Sequence, residues 1–387
     1  MTNLTEAAGR TWDVIVVGAG PAGALAARQI ALQGAAVLLV DRASFPRWKV
    51  CGCCLNASAL STLASVSLGN LTANLGAVPL KRLLLAARGC RAEVALPGGV
   101  SLSREAFDAA LIEAAVASGV QFFSETNATL GMANLEHREV VLTQAGRQVA
   151  VQARLVLAAD GLGGKLLARQ DDFSAVAAKN SRIGAGVVLQ KVPEFIEPGS
   201  VLMACSAGGY VGLVRLEDGR LDVAAAFDRQ TVVAAGGPGP AASNIIAEVG
   251  WPVIEGLAEM PWRGTAALTR QASRLSCDRV LVLGDAAGYV EPFTGEGIAW
   301  ALASAVAIAP LALRAAERWD AKIGKEWSDK YHNIVTNRQS TCRLVARVLR
   351  YPVLVRLAIQ LLRYKPSLAQ SIMRRLNAPS TSQGNPL

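Results

Sequence analysis

Histidine is scarce in this chain, with only His137 and His332 among 387 residues, and the cysteine cluster Cys51, Cys53 and Cys54 has no second Cys-x-x-Cys to pair with. Little is left from which to build a zinc or other transition-metal site, and no metal is predicted. Seven cysteines, an odd number, do not make the even framework of a small secreted domain. No cleavable leader precedes the first apolar run, so the expected compartment is a reducing cytoplasm. No apolar run reaches the roughly 20 residues of a bilayer span. The longest, Ile298 to Leu313, is interrupted by Pro310 and reads as a buried core helix. Acidic residues are missing between Arg343 and Arg375, where eight of the net nine positive charges sit. Nothing resembles a nucleic-acid recognition motif, so that class of partner is set aside. A hydrophobic content of 52% excludes general disorder and supplies a sizeable core.

What the chain does have is glycine in a telling place. The apolar run Trp12 to Val17 leads into Gly18-Ala19-Gly20-Pro21-Ala22-Gly23 and then into an alanine-rich helical stretch. Read together, these make a buried parallel strand, a tight turn at Gly18, a close backbone approach to a pyrophosphate at Gly20, and close helix packing at Gly23. The first N–H groups of the helix that opens at Pro21, from Ala22 onward, then face an anion. A second strand, Ala35 to Val40, ends in Asp41, the carboxylate placed to bind a ribose, with Arg42 beside it. A dinucleotide is predicted.

Far downstream, Val280 to Leu283 forms another short strand before Gly284-Asp285-Ala286-Ala287-Gly288, then Glu291-Pro292-Phe293-Thr294-Gly295-Glu296-Gly297-Ile298 and a long helix. This segment resembles the second flavin fingerprint of the flavoproteins that include geranylgeranyl reductases, aromatic-ring monooxygenases of the p-hydroxybenzoate hydroxylase type, and flavin-dependent halogenases. The resemblance implies FAD, with Asp285 on a ribityl hydroxyl and the backbone of Gly295 to Ile298 at the pyrimidine edge of the ring. There a helix N-terminus favours the negative charge of reduced flavin. Asp160-Gly161, closing the strand Arg154 to Leu157, resembles the Asp-Gly motif of the same superfamily. Phe45-Pro46-Arg47-Trp48-Lys49-Val50-Cys51-Gly52 is similar to the Arg-x-Lys-x-Cys-Gly loop of the geranylgeranyl reductases, which implies a position between cofactor phosphates and ring. Ser103-Arg104, followed by Phe107, Asp108 and Leu111, resembles the family helix whose arginine reaches the phosphate or ribityl region. Without the resemblance, Arg104 would read as a solvated first-turn residue.

The implied fold class is α/β. A discontinuous Rossmann-like FAD-binding domain takes residues 10–79, 100–180 and 271–320. A β-sheet substrate domain is inserted at 80–99 and 181–270, and a C-terminal basic helical segment covers 321–378. Strands are predicted at Ile183 to Gln190, Val201 to Ala204, Tyr210 to Leu216 and Leu221 to Phe227, with Glu217-Asp218-Gly219-Arg220 as a hairpin turn. In the C-terminal segment, arginines 343, 347 and 350 recur at helical spacing before Pro352 opens a second apolar helix. Two readings fit: peripheral contact of 343–375 with the inner face of a membrane, or a helical cap on the substrate domain with solvated arginines.

Flavin supplies the difficult chemistry, so few catalytic side chains are needed. Cys51 and Tyr210 are the candidates: Cys51 for its loop, Tyr210 because Gly208-Gly209-Tyr210-Val211-Gly212 resembles the substrate-side strand of the reductases. Each also fits a packing role, as a small buried side chain or an ordinary strand aromatic. A cysteine beside the ring would also permit covalent attachment of the flavin. Gly212, Val214 and Arg215 stand where the reductases carry further aromatics and a proline. Three functions follow. The first is a reductase acting on a hydrophobic or lipid-like small molecule, with NAD(P)H or a reduced partner protein as donor. The second is a monooxygenase working through a C4a-hydroperoxyflavin. The third is a non-enzymatic lipid escort on the same fold, as the Rab dissociation inhibitors are. The halogenase Trp-x-Trp-x-Ile-Pro signature is missing.

Overall fold

The computed structural model describes residues 4–168, 170, 173–291, 293 and 295–365. Pro292, residues 366–378 with Arg374 and Arg375, and the polar end 380–387 lie outside the described residues.

Strands that are apolar on both faces need cover above and below, and the chain provides it by alternating strand and helix. The first sheet runs in the order Ser276–Cys277, Val280–Val282, Arg147–Ala158, Thr11–Val17, Val37–Val40, Gln121–Phe123. Its four pairings from Val280–Val282 to Gln121–Phe123 are parallel. The strand foreseen at Arg154 to Leu157 is longer, because its first half pairs antiparallel with Arg138–Gln144, which pairs in turn with Asn127–Ala133. Helices Pro21–Ala31 and Gly297–Glu317 pack against each other and the sheet. Arg104–Val116 joins them, its start capped by Ser103, whose hydroxyl accepts from the Ala106 amide.

Gly297–Glu317 is long and apolar enough to cross a membrane, but most of it is buried inside the protein. Pro310 does not interrupt it, contrary to the sequence expectation. The proline lies on the solvent side, where the carbonyl left without an amide partner can turn to water.

The second sheet has seven strands in the order Arg263–Ala267, Ile183–Leu189, Leu221–Phe227, Gly209–Arg215, Ser200–Ser206, Arg82–Ala87, Cys90–Ala95. All pair antiparallel except Ser200–Ser206 with Arg82–Ala87. Side chains alternate across it. Leu202, Ala204, Val211, Leu213 and Val223 pack with Ile245 and Ile246 of helix Pro238–Glu248. Met203, Cys205, Tyr210 and Ala226 turn the other way.

The stretch after residue 320 divides between the two sheets. Ile323, Trp327 and Tyr331 of helix Ala321–Tyr331 join the core of the first sheet, and Trp327 Nε1 donates to the Val282 carbonyl at 2.8 Å. A π-type turn, His332–Thr336, leads to helix Asn337–Val348. Helix Pro352–Tyr364 lays Val355 and Ile359 over strands Arg82–Ala87 and Cys90–Ala95.

A buried ion pair fastens these layers. Arg182, fully shielded from water, meets Glu291 at 3.0 Å, donates to the Leu349 carbonyl at 3.2 Å, and lies 3.7 Å from Asp228. It therefore ties the substrate sheet to the loop before the long helix and to the end of helix Asn337–Val348. Burial pushes the Glu291 carboxyl up, and Arg182 opposes that shift. An Arg182→Leu variant leaves Glu291 buried without its cation, a class of change that costs about 3–5 kcal/mol. Glu291 can escape the cost only by taking a proton, so its raised pKa adds stability at low pH that is lost as pH rises. Denaturant midpoints are expected to fall further at about pH 8 than at about pH 5; equal losses at both would show that the pair is not the fastening.

Candidate active site

Between the loops that follow the strands of the first sheet and one face of the second lies a cavity of about 1070 Å3. At one end is the glycine turn. Gly18 takes φ +105°, and a Cβ there would stand 2.3 Å from the Ala159 carbonyl oxygen, while one on Gly23 would stand 1.8 Å from that of Gly18. Neither glycine lines the cavity; both let strand, turn and helix close on one another. Gly284 is likewise held away, against Ala22, where a Cβ would be 2.7 Å from the alanine methyl. Gly20, Pro21 and Ala22 do line the cavity, as do Asp41 and Arg42. Asp41 accepts from the Ala19 and Ala43 amides at 2.8 and 2.9 Å, which locks it beside the turn.

The loop 45–52 crosses above the turn and brings Arg47, Lys49, Cys51 and Gly52 to the cavity. From the other side comes Arg104, 6% exposed, whose guanidinium grips the fully buried Asp108 through two hydrogen bonds of 2.8 Å. Arg47 approaches the same carboxylate at 3.5 Å. Burial works against the Arg104 charge, but Asp108 and Cys51 outweigh it and hold it firmly protonated. The guanidinium ends of Arg47 and Arg104 both lie against Gly20, so two cations flank the open side of the turn. Burial lowers the Lys49 pKa, with Arg104 and Arg47 adding to the effect and Asp285 opposing it.

Asp160 and Gly161 line the middle, although Asp160 faces its own turn and accepts from the Leu166 amide at 2.9 Å. Asp285 is pushed up by burial and held back by Lys49 and Arg104. Gly295, Glu296, Gly297 and Ile298 complete this end, at the start of the long helix. Burial lifts Glu296 to about 7, and one of its oxygens has no hydrogen-bond partner among the described residues. Tyr210 lies on the opposite wall, edge-on to Phe293 at 5.0 Å, with Arg182 above its ring.

Among the cavity residues that the sequence did not single out is a buried carboxylate. Asp222 is 1% exposed and lines the cavity, and neither carboxyl oxygen is hydrogen-bonded. Its signal was present: it is the one charged side chain in the strand Leu221–Phe227.

The arrangement fits a dinucleotide carrying a planar ring. Gly20 would offer bare backbone to a pyrophosphate, Arg42, Arg47, Lys49 and Arg104 could offset its charge, and the helix start at Glu296–Gly297 could offer a positive end to the ring. Among the described residues no group of three or more His, Cys, Asp or Glu side chains could hold a metal.

Comparison with known proteins agrees with the geometry. The FAD binding domain family matches residues 11–333. A digeranylgeranylglycerophospholipid reductase of Methanosphaera stadtmanae is 30% identical over 339 residues, 76% of this chain and 76% of its own. The crystal structure of a flavoprotein/dehydrogenase from Cytophaga hutchinsonii superposes with a TM-score of 0.79 at 18% identity, covering 95% of this chain and 93% of the other. PqsL, a probable FAD-dependent monooxygenase from Pseudomonas aeruginosa, shares the fold with a TM-score of 0.68 at 17% identity, covering 89% and 98%. On its glycine turn, its Asp-Gly and second flavin segments and these matches, the chain belongs to the FAD binding domain family and is an FAD-dependent oxidoreductase.

Proposed function

We propose that the enzyme is a reductase that adds hydrogen across an unsaturated bond of a hydrophobic, lipid-like substrate. The observation that carries this reading is the continuity of the cavity from the Gly20 turn to the apolar face of the seven-stranded sheet, where Leu83, Val201, Met203, Val214 and Leu268 line it. Small residues at Gly212, Ala224 and Ala226 widen that face. The sequence match to a protein named digeranylgeranylglycerophospholipid reductase supports the same reading.

FAD supplies hydride transfer when bound, and the chain positions and protonates. Arg47, Lys49 and Arg104 would balance the phosphates, Asp41 would hold the ribose, and Asp285 would hold the ribityl chain. Cys51 and Tyr210, which both line the cavity, would deliver the proton, and NAD(P)H or a reduced partner protein would bring the electrons. The monooxygenase alternative uses the same cofactor contacts, so the test must follow the substrate. Protein reduced chemically and mixed anaerobically with a polyunsaturated prenyl lipid is expected to reoxidise while the lipid gains two hydrogens. Reoxidation only in air, with one oxygen inserted, would overturn the reductase reading.

Arg104 gives a second check. Arg104→Ala strands Asp108 and removes a charged hydrogen bond, worth about 1.5–3 kcal/mol. FAD binding, followed by fluorescence quenching, is expected to weaken roughly ten- to hundredfold, and Cys51 should need a higher pH for alkylation. An unchanged affinity would remove Arg104 from the cofactor site.

The substrate class also suits the outer surface of the C-terminal helices. Val353, Leu357, Leu361 and Tyr364 form an exposed apolar stripe on helix Pro352–Tyr364, whose opposite face covers the substrate sheet. Arg347, Arg356, Arg363 and Lys365 are exposed around it, and residues 343–365 include no acid. An anionic bilayer surface complements both properties. Co-sedimentation with phosphatidylserine vesicles is expected at low salt, weakened by salt and abolished by Leu357→Asp with Leu361→Asp. Equal binding to neutral vesicles, or none to anionic ones, would overturn this placement.

A further inference from the structure

Beside the proposed flavin site, the cavity wall contains a second group able to exchange electrons. Cys51 lines the cavity, half-buried; Cys53 lies behind it, 2% exposed, packed with Leu80, Val214 and Leu216. Cys53 adopts φ +49°, a left-handed conformation unusual for a residue with a side chain. That turn folds the chain back, so the Cys53 amide donates to Cys51 Sγ at 3.4 Å. The neighbouring Cys53 side chain foremost, then the Arg104 charge, brings Cys51 down to about 6 against the effect of burial. The Cys51 side chain, with burial, raises Cys53. Beyond Cys53 stands Asp222, close enough for their charges to interact, although neither carboxyl oxygen meets the thiol in hydrogen-bond geometry. Burial and the Cys51 charge raise Asp222, against Cys53 and Arg220, which favours its protonated form. Arg220 itself is engaged by Glu105 and Asp218.

A half-buried low-pKa thiol at the cavity wall, a buried thiol behind it and a buried carboxyl behind that form the arrangement needed for thiol–disulfide exchange. We propose that Cys51 and Cys53 are a reversible dithiol–disulfide couple, with Asp222 as the proton donor to Cys53. In the reducing direction a small thiolate attacks Cys51 Sγ and forms a mixed disulfide. The Cys51–Cys53 bond breaks, and the Cys53 sulfur leaves with the electron pair and takes the Asp222 proton. A second thiolate attacks the small-thiol sulfur of the mixed disulfide, frees Cys51 as thiolate and leaves as the oxidised small disulfide. Two thiols are oxidised, one disulfide is reduced, and Asp222 regains its proton from solvent. Oxidation by a small disulfide is the reverse. The sulfurs must close to bonding distance, about 2 Å, which the glycine between them permits.

The test uses the full-length purified protein in glutathione buffers of graded redox ratio, quenched by alkylation and digested with trypsin. Residues 50–81 form one tryptic peptide that carries Cys51, Cys53 and Cys54 and no other cysteine. In oxidising buffer this peptide is expected to lose two labels, in wild type and in Cys54→Ser, to lose none in Cys51→Ser, and to lose one in Cys53→Ser, where Cys51 stays as the mixed disulfide with glutathione. Asp222→Asn should keep the disulfide but slow its reduction by glutathione roughly tenfold or more. The infrared carbonyl band of a protonated carboxylic acid should vanish in the same variant. Full labelling at every redox ratio, or loss of the disulfide in Cys54→Ser, would overturn the couple. Reduction of Asp222→Asn at the wild-type rate would overturn the role of Asp222. None of these readouts depends on turnover, so failure here leaves the reductase reading untouched.

Discussion

The two hydrogen bonds between Arg104 and Asp108 let one helix and the loop 45–52 form a single site. Both residues belong to helix Arg104–Val116 and are removed from water, yet the guanidinium also reaches the loop carrying Cys51, and the carboxylate also meets Arg47. A lone buried arginine would lose its hydration without recompense; fixed by Asp108 on one edge, it has its remaining donors free for a thiolate and for anions. Because its position is set by the helix, the cationic rim of the glycine turn is rigid before any ligand arrives.

The site is also asymmetric. Around the Gly20 turn the wall is polar and cationic, while along the seven-stranded sheet it is made of leucine, valine, methionine and alanine. A molecule spanning both zones would place a charged end and an apolar end at opposite limits of the same cavity, with the ring-binding region between them. Cys51 lies near the junction, where a thiolate meets both a polar and an apolar neighbourhood.

Much of this was legible in the sequence because the motifs are local. Gly18, Gly20 and Gly23 act within one turn, and an apolar strand followed by a glycine-led helix start can be read from adjacent residues. The hairpin 127–144 was not read: in Asn127–Ala133 half-buried positions alternate with exposed ones, so its apolar face is faint. Helix Ala321–Tyr331 was not singled out because its residues are mostly polar, although Ile323, Trp327 and Tyr331 recur four apart and are its buried face. Asp222 shows the limit most clearly. A charged residue in an apolar strand signals either an edge or a function, and only the fold, by setting the cysteine loop against that strand, tells which.

The parallel pairing of Ser200–Ser206 with Arg82–Ala87 carries a consequence for how the chain is assembled. Between those strands the polypeptide leaves to build Gln121–Phe123 and Arg147–Ala158 of the other sheet. During synthesis, the hairpin 82–95 therefore waits with an unsatisfied edge until more than a hundred further residues emerge. The nucleotide layer cannot be detached as an autonomous module, and a ribosome-bound intermediate presenting that edge is where a chaperone would be needed.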